Sequence, residues 1–280
     1  MAMRLVRTKA DARRERQQAG GTWGLVPTMG YLHAGHVSLV ERARAENDHV
    51  AVSIFVNPTQ FGPAEDLAAY PRDLDRDLAL LQRAGADLVW TPSAEEVYPQ
   101  GFQTYVTVED VTRPLEGAAR PGHFRGVATI VAKLFNVFQP DRAYFGQKDA
   151  QQAVVIRQMA RDLDFPLDVI VCPTLREPDG LALSSRNVYL TPEQRAAAPV
   201  LFRALTAAQE VWQSGERDGD VLKAKIRQVI DAEPQARTEY ISAADPITLA
   251  ELGNASRGAL LSIAVRIGRA RLIDNILLEA

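Results

Sequence analysis

Short apolar, β-branched runs alternate with segments of helical period from about residue 22 to residue 175. Residues 23–28 predict a strand and residues 37–47 a helix. Val50-Ala-Val-Ser-Ile-Phe-Val56 is a nearly unbroken apolar run, the pattern of a strand buried on both faces. Leu74, Leu78 and Leu81 recur at i, i+4 and i+7, one face of a helix that Gly85 stops. Residues 87–91 and 104–108 read as further strands, and Val127, Ile130, Val131, Leu134 and Phe138 mark another amphipathic helix. Residues 142–145 and 167–171 complete this half as strands, with a helix over 150–163 between them.

Strand and helix in alternation, joined by short connections, predict an α/β protein built on a mostly parallel sheet. The polar loop 174–192 breaks the pattern. After it come helices over about 192–214 and 219–232, strands near 239–243 and 260–265, and a last apolar segment at 272–278. The expected architecture is a Rossmann-like sheet with helices on both faces over residues 1–175, plus a smaller C-terminal α+β domain over 176–280. Ligands of such sheets bind outside the carboxyl ends of the strands, so diagnostic residues belong immediately after them.

Composition narrows the class. With 280 residues, 46% hydrophobic and 24% charged, the chain is an ordinary globular sequence with ample core, not a disordered, collagenous or coiled-coil one. A balance of 32 basic against 35 acidic residues argues against a wholesale nucleic-acid binder, though a local basic patch survives that argument. The single Cys172 allows no internal disulfide, which points to a reduced, cytoplasmic setting. The start of the chain carries Lys9, Arg13, Arg14 and Arg16 with no apolar signal core, and no apolar stretch of about 18 residues occurs, so no membrane association is expected. Only five of the basic residues are lysines, at 9, 133, 148, 223 and 225, so a lysine beside a glycine stands out.

Five polar constellations follow the strands. In Pro27-Thr-Met-Gly30-Tyr-Leu-His33-Ala-Gly-His36, Gly30 permits a tight turn, and the two histidines share a face at a helix start. A helix N-terminus attracts anions, and two imidazoles there can donate to phosphate oxygens. The alternative is a pair of capping or metal-ligating histidines, but no second histidine pair or thiol pair exists to close a structural zinc site. Next, Asn57-Pro-Thr-Gln60 opens a turn at the sheet's ligand edge, where Gln60 supplies donors and an acceptor, unless it is an ordinary connecting loop. Arg120-Pro-Gly-His123-Phe-Arg125-Gly126 leads into a helix and reads as structural rather than anion-binding. Gly146-Gln-Lys148-Asp149-Ala-Gln-Gln152 offers close backbone approach and a point charge for phosphate, without P-loop spacing; a plain surface lysine is the alternative. Gln152 lies four residues beyond Lys148, so both can face one cleft. Last, Leu183-Ser184-Ser185-Arg186 has two hydroxyls and a guanidinium on a loop able to fold over a polyphosphate.

His33-Ala-Gly-His36 resembles the His-x-Gly-His signature of the nucleotidylyltransferase superfamily. The wider run from Pro27 to His36 is similar to that of the pantothenate synthetase (pantoate–β-alanine ligase) family, and the likeness runs in motif order from about Thr22 to Asn275, ending in Arg271-Leu-Ile-Asp-Asn275. The resemblance implies ATP binding by Met29, Gly30, His33, Gly35, His36, Gly146, Gln147, Lys148, Asp149, Leu175, Leu183, Ser184, Ser185 and Arg186. It implies pantoate binding by Gln60 and Gln152, and β-alanine binding by Gln60. Residues 184–186 resemble the family's counterpart of the synthetase Lys-Met-Ser-Lys-Ser loop. Leu183 stands where Met or Lys is usual and Leu175 where Val is usual. A homodimer is implied as well.

The reaction so implied joins (R)-pantoate to β-alanine while ATP is cleaved to AMP and diphosphate, through pantoyl adenylate. His33, His36, Lys148, Ser184, Ser185 and Arg186 are the expected catalytic groups, acting by positioning and charge stabilisation. Mg²⁺ is expected with ATP, with Asp66, Asp75, Asp77 and Asp149 as plausible outer ligands among which the sequence does not choose. Two other readings stand beside this one. A related adenylyltransferase or synthetase-like tRNA enzyme is disfavoured in its tRNA version by the short, acidic chain. A catalytically silent nucleotide-binding module is disfavoured by the intact His33, His36, Lys148 and Arg186.

Overall fold

A computed structural model describes residues 3–63 and 65–279 of the chain. The β-branched and aromatic runs form six strands, β1 (Arg4–Val6), β2 (Trp23–Thr28), β3 (His49–Ile54), β4 (Leu88–Trp90), β5 (Arg142–Gly146) and β6 (Asp168–Cys172). They make one sheet in the order β1-β4-β3-β2-β5-β6, parallel at every pairing. Parallel neighbours need crossovers, and helices supply them. These are α1 (Lys9–Gln18), α2 (Ala34–Glu46), α3 (Leu74–Ala84), α4 (Ala94–Val97), α5 (Glu116–Ala119), α6 (His123–Phe138) and α7 (Ala150–Asp162). From β2 the chain builds towards β4, then returns to place β5 and β6 on the other side of β2. The carboxyl ends of β2 and β5, at Thr28 and Gly146, therefore flank the topological switch where ligands of such sheets bind.

Alternation along the strands sends two sets of side chains to opposite faces. Val26, Val50, Val52, Val89 and Tyr144 pack with Leu39, Val40 and Ala43 of α2 and with Leu81 and Ala84 of α3. On the other face Trp90 meets Phe138 of α6 edge to face at 5.9 Å. These side chains are almost wholly removed from water, the valines, leucines and Phe138 each worth about 1.5–3 kcal/mol of transfer free energy.

By its internal packing the chain divides into two units, Met1–Gly146 with Val155–Cys172, and Gln147–Val154 with Pro173–Ala280. The second contains α8 (Pro192–Ala197), α9 (Val200–Gln213), α10 (Gly219–Asp231), β7 (Ala236–Ala244), β8 (Ala259–Ile267) and β9 (Ala270–Leu278). Its strands form an antiparallel sheet with β8 in the middle. Leu201, Leu205 and Trp212 of α9 and Leu222, Ile226 and Ile230 of α10 share a buried cluster with Ile263 and Val265 of β8. The α/β class with a smaller α+β domain is thus the architecture the hydrophobic pattern predicts.

Three local expectations differ. Residues 104–108 form no strand: the Val106 N–H donates to Thr129 Oγ1 of α6 at 3.0 Å, and Tyr105 lies under the Arg125 guanidinium, so side chains take the place of a ladder partner. The helix expected over 192–214 is two helices, because Pro199 has no N–H to continue the first and becomes the N-cap of α9. The basic start of the chain forms β1 and α1, a three-residue edge strand and a helix with Ala12 as its buried residue; neither has the apolar periodicity that marks an element.

Inside the first unit, the Tyr144 hydroxyl donates to Glu46 Oε2 at 2.9 Å and accepts from Asn47 Nδ2 at 2.7 Å. Burial, reinforced by the hydrogen bond to Glu46, pushes its pKa up to about 12. Tyr144→Phe leaves a buried amide hydrogen without its acceptor. The expected loss is about 1–3 kcal/mol, read as a lower urea midpoint with an unchanged denaturant slope.

Candidate active site

The turn after β2 is forced into an uncommon backbone. Gly30 has φ +83° and Tyr31 φ +50°, and a Cβ on Gly30 would come within 3.1 Å of Asp77 Oδ2. Asp77, on α3 and 1% exposed, accepts the Tyr31 N–H on one oxygen and the Leu32 N–H on the other, both at 2.7 Å. Burial raises its pKa, while the two N–H bonds pull in the opposite direction. A carboxylate that sequence alone places among possible outer metal ligands is here the clamp of the turn.

The clamp delivers the chain to the N-terminus of α2 with His33 as N-cap. His33 Nδ1 accepts the Gly35 N–H at 3.2 Å, and His36 Nδ1 accepts the His33 N–H at 3.3 Å. The two rings, 4.1 Å apart between centroids, form a capping box made of histidines. Both Nδ1 atoms act as acceptors, so each neutral ring carries its proton on Nε2. The helix cap thus engages one nitrogen of each ring, at an N-terminus of the kind that attracts anions. Among the described residues no group of three or more His, Cys, Asp or Glu has metal-binding geometry.

Beyond β3, Asn57 caps a 3₁₀ turn over Pro58–Gln60. Its Nδ2 donates to Gln60 Oε1 at 2.9 Å and to the Gly126 carbonyl at 3.2 Å, while its Oδ1 accepts from the Tyr98 hydroxyl at 2.8 Å. This orients the Gln60 amide, whose Nε2 contacts Met29 Sδ at 3.3 Å and so meets the turn after β2. Asn57 reads in the sequence only as a turn opener. Its second function follows from being 1% exposed, which requires every polar atom to find a partner.

The segment from Arg120 to Gly126 holds the same turn from behind. His123 Nδ1–H donates to the Gln60 carbonyl at 2.8 Å, and Arg120 Nη1–H donates to His123 Nε2 at 3.1 Å. A carbonyl can only accept and a guanidinium only donate, so the tautomer is fixed. Arg120 is anchored in turn by a two-pronged ion pair with Glu65, at 2.8 and 2.7 Å. Burial pushes the Glu65 carboxyl up, but the Arg120 hydrogen bond and charge outweigh it and hold it below its usual value. Gly126 sits so close that a Cβ would lie 2.3 Å from the Thr59 carbonyl oxygen.

In the second unit, Gln147–Asp149 forms a 3₁₀ turn that runs into α7, which carries Gln152. Lys148 Nζ lies 3.6 Å from Asp149 Oδ1. Leu175 and Leu183 face each other across a short hairpin, the Leu183 N–H donating to the Leu175 carbonyl at 3.0 Å. Ser184 then caps a 3₁₀ turn over Ser185–Tyr189, its Oγ accepting the Arg186 N–H at 3.3 Å, and Ser185 is buried. The structure thus joins Met29, His33, His36 and Gln60 within the first unit, and Leu175 with residues 183–186 within the second.

The pKa of His123 is pushed down from 6.5 to about 4 by burial first and by the Arg120 charge second, against the opposing effects of the Gln60 carbonyl, Glu116 and Glu65. Above pH 6.5 the ring is neutral in both folded and unfolded chains. As pH falls towards 4, the unfolded ring takes up a proton that the folded one refuses, so stability is lost, on the order of 3 kcal/mol in full. Asn at this position keeps an N–H for the Gln60 carbonyl and does not titrate. Urea unfolding at pH 7 and pH 4 should show a smaller acid loss for His123→Asn than for the parent; equal losses would contradict the assignment.

Comparison with known proteins gives a consistent result. The sequence model of the family described as pantoate-beta-alanine ligase matches residues 3–277. The chain is 63% identical over 278 residues to the pantothenate synthetase of Roseiflexus sp. (strain RS-1), covering 99% of this chain and 100% of that one. It is 65% identical over 277 residues to the enzyme of the same name from Chloroflexus aggregans, with 99% and 100% covered. Among solved structures, pantothenate synthetase from Thermus thermophilus superposes with a TM-score of 0.96 at 54% identity, over 99% of this chain and 100% of that one. Pantoate-beta-alanine ligase from Francisella tularensis, complexed with beta-gamma ATP and beta-alanine, gives 0.81 at 35% identity, over 99% and 98%.

Proposed function

The chain belongs to the pantoate–β-alanine ligase family, and on that premise we propose the residue roles by which it carries out the family's reaction. That reaction is the ATP-dependent condensation of (R)-pantoate with β-alanine to pantothenate, AMP and diphosphate, through pantoyl adenylate. A carboxylate does not react with an amine at neutral pH, because its oxygen is too poor a leaving group. In the first step a pantoate carboxylate oxygen attacks the α-phosphorus and the bond to diphosphate breaks. In the second, the β-alanine amine attacks the acyl carbon, AMP leaves with the C–O electron pair, and the nitrogen loses a proton.

The observation that carries the role assignment is the reciprocal cap of His33 and His36, which sets two Nε2–H donors at a helix N-terminus. These donors stabilise the charge that gathers on the α-phosphate. Met29, Gly30 and Gly35 bring backbone to the nucleotide, as do Gly146, Gln147, Leu175 and Leu183 in their own segments. Lys148 and Arg186 take the charge of the departing diphosphate, and Ser184 and Ser185 add hydroxyl donors. Gln60 and Gln152 hold pantoate, and Gln60 also meets β-alanine. None of these groups becomes covalently attached to substrate; the catalysis is positioning and electrostatics.

Mg²⁺ accompanies ATP in this reading. The described residues form no carboxylate cage of their own, which suits an ion bound chiefly by phosphates with one or two protein oxygens. Asp149, half exposed beside Lys148, fits that outer role, while both oxygens of Asp77 are engaged by backbone. Held there, the ion would neutralise charge on the polyphosphate. No described helix is long and apolar enough to cross a membrane. A cytoplasmic homodimer completes the proposal, with no nucleic-acid partner.

ATP-to-AMP turnover should require pantoate and β-alanine together; turnover with a different acid in place of pantoate would keep the superfamily and sink the substrate. Lys148→Ala should slow adenylate formation by about 10²–10³-fold, the cost of removing one charge-stabilising donor. The reaction of supplied pantoyl adenylate with β-alanine should change far less. Equal losses in the two half-reactions would contradict the role of Lys148.

A further inference from the structure

The Asp274-Asn275 pair of β9 has no role in the reaction as described so far, although both side chains are buried, Asn275 to 4% exposure. The Asn275 amide is spent entirely on the turn that carries Lys148. Its Nδ2 donates to the Gln147 carbonyl and to the Lys148 carbonyl, both at 2.9 Å, and its Oδ1 accepts from Gln147 Nε2 at 3.0 Å. Both amide hydrogens and the amide oxygen therefore have partners, and all of them lie on Gln147 and Lys148. The neighbouring residue is tied just as tightly. Asp274 receives Arg176 in a two-pronged ion pair at 2.6 and 2.9 Å and also accepts the Asn275 N–H at 2.8 Å. Arg176 lies over the Phe202 ring and donates to the Gly180 carbonyl, so it is fixed at the base of the hairpin that leads to Ser184.

The geometry points to Asn275 as a positioning residue for Lys148: it fixes the backbone of the Gln147–Lys148 turn, and with it the direction in which the ammonium group is presented to the departing diphosphate. The inference rests on the reading of Lys148 as a phosphate-binding group. A lysine has four rotatable side-chain bonds, and an unanchored backbone would add two more at its root, each a source of misplacement at Nζ. Catalysis by positioning is sensitive to displacements of that order, with about a hundredfold lost for a misplacement of about 1 Å. Asn is suited to the task because it offers two donors and an acceptor without charge. A carboxylate in its place would face two carbonyl oxygens.

The test is a pair of variants measured in both half-reactions. Asn275→Leu keeps the branched shape, though it is bulkier, and removes all three hydrogen bonds; Asn275→Asp keeps the acceptor for Gln147 Nε2 and removes both donors. Each is expected to slow pantoyl adenylate formation by about ten- to a hundredfold and to leave the attack of β-alanine on supplied pantoyl adenylate near the parent rate. The rates are taken on protein shown by circular dichroism to be folded, and if Asn275→Leu does not fold, Asn275→Asp carries the same expectation. The double variant Asn275→Asp with Lys148→Ala is expected to be no slower than Lys148→Ala alone, because a residue that acts through Lys148 has nothing left to act through. Multiplied losses in the double variant, or equal losses in the two half-reactions, would overturn the inference. If Lys148→Ala itself leaves adenylate formation unchanged, it is the reading of Lys148 that fails.

Discussion

The carboxylate of Asp77 bound to two consecutive backbone N–H groups is the constraint on which the rest of the first unit's site is built. A left-handed residue at Tyr31 costs free energy, and so does a buried charge; neither persists without a partner that needs it. Here they answer each other. The turn supplies two donors at 2.7 Å to a carboxylate withdrawn from water, and the carboxylate supplies acceptors to N–H groups that the turn has withdrawn from any ladder. The next residues of the chain depend on the result. Leu32 enters the core fully buried, His33 arrives at the cap position of α2, and the reciprocal cap with His36 becomes possible only at that entry angle.

The same arrangement recurs wherever a polar group is presented at the end of a strand. A residue far away in the chain holds backbone, or one end of the side chain. Asn57 and His123 hold Gln60, one by its amide oxygen and the other by its carbonyl. Asn275 holds the carbonyls of Gln147 and Lys148. Behind two of these neutral holders stands an ion pair, Arg120 with Glu65 behind His123 and Arg176 with Asp274 beside Asn275. Loss of one member is costliest where the pair is most buried: Arg176→Ala would strand the Asp274 carboxylate, 2% exposed, at about 3–5 kcal/mol, whereas Arg120 without Glu65 keeps Glu116 at 3.7 Å.

The difference between what was legible in the sequence and what was not comes from the range of the interactions. Elements were legible where one face is apolar, since the periods of 2 and 3.6 are local and the core residues announce them. Hence β2, β3, α3, α6 and β8 lie where the pattern puts them and β9 covers the last apolar segment, while β1 and α1, which bury little, do not show in it. The motifs likewise stand in contiguous runs. Their holders do not: Asp77 is 46 residues from Tyr31, His123 is 63 from Gln60 and Asn275 is 127 from Lys148. Nothing local in His-Phe-Arg-Gly or in Asp-Asn marks a hydrogen bond to a remote carbonyl. The helix of residues 123–138 was legible, but not the reason its first residue is histidine.

Neutral holders close to the site, with charged ones one step behind, are what a polyphosphate substrate demands. A group meant to meet developing negative charge loses its value if a holder neutralises it first, since the interaction at close range in a partly desolvated site is worth several times what it is in water. His123 satisfies this by remaining neutral, its pKa far below neutrality and its tautomer set by Arg120. Asn57 and Asn275 satisfy it by carrying no charge at all. His33 and His36 hold each other through the nitrogens that face the backbone, which leaves their protons on Nε2. Lys148 has a carboxylate of its own at 3.6 Å, but Asp149 is half exposed, and solvent screens that pair in a way it does not screen Arg176 and Asp274. A formal net charge of −3 over the whole chain is thus compatible with a highly anionic substrate, because within each unit buried acids are already committed, in the first Asp77 to backbone and Glu65 to Arg120, in the second Asp274 to Arg176.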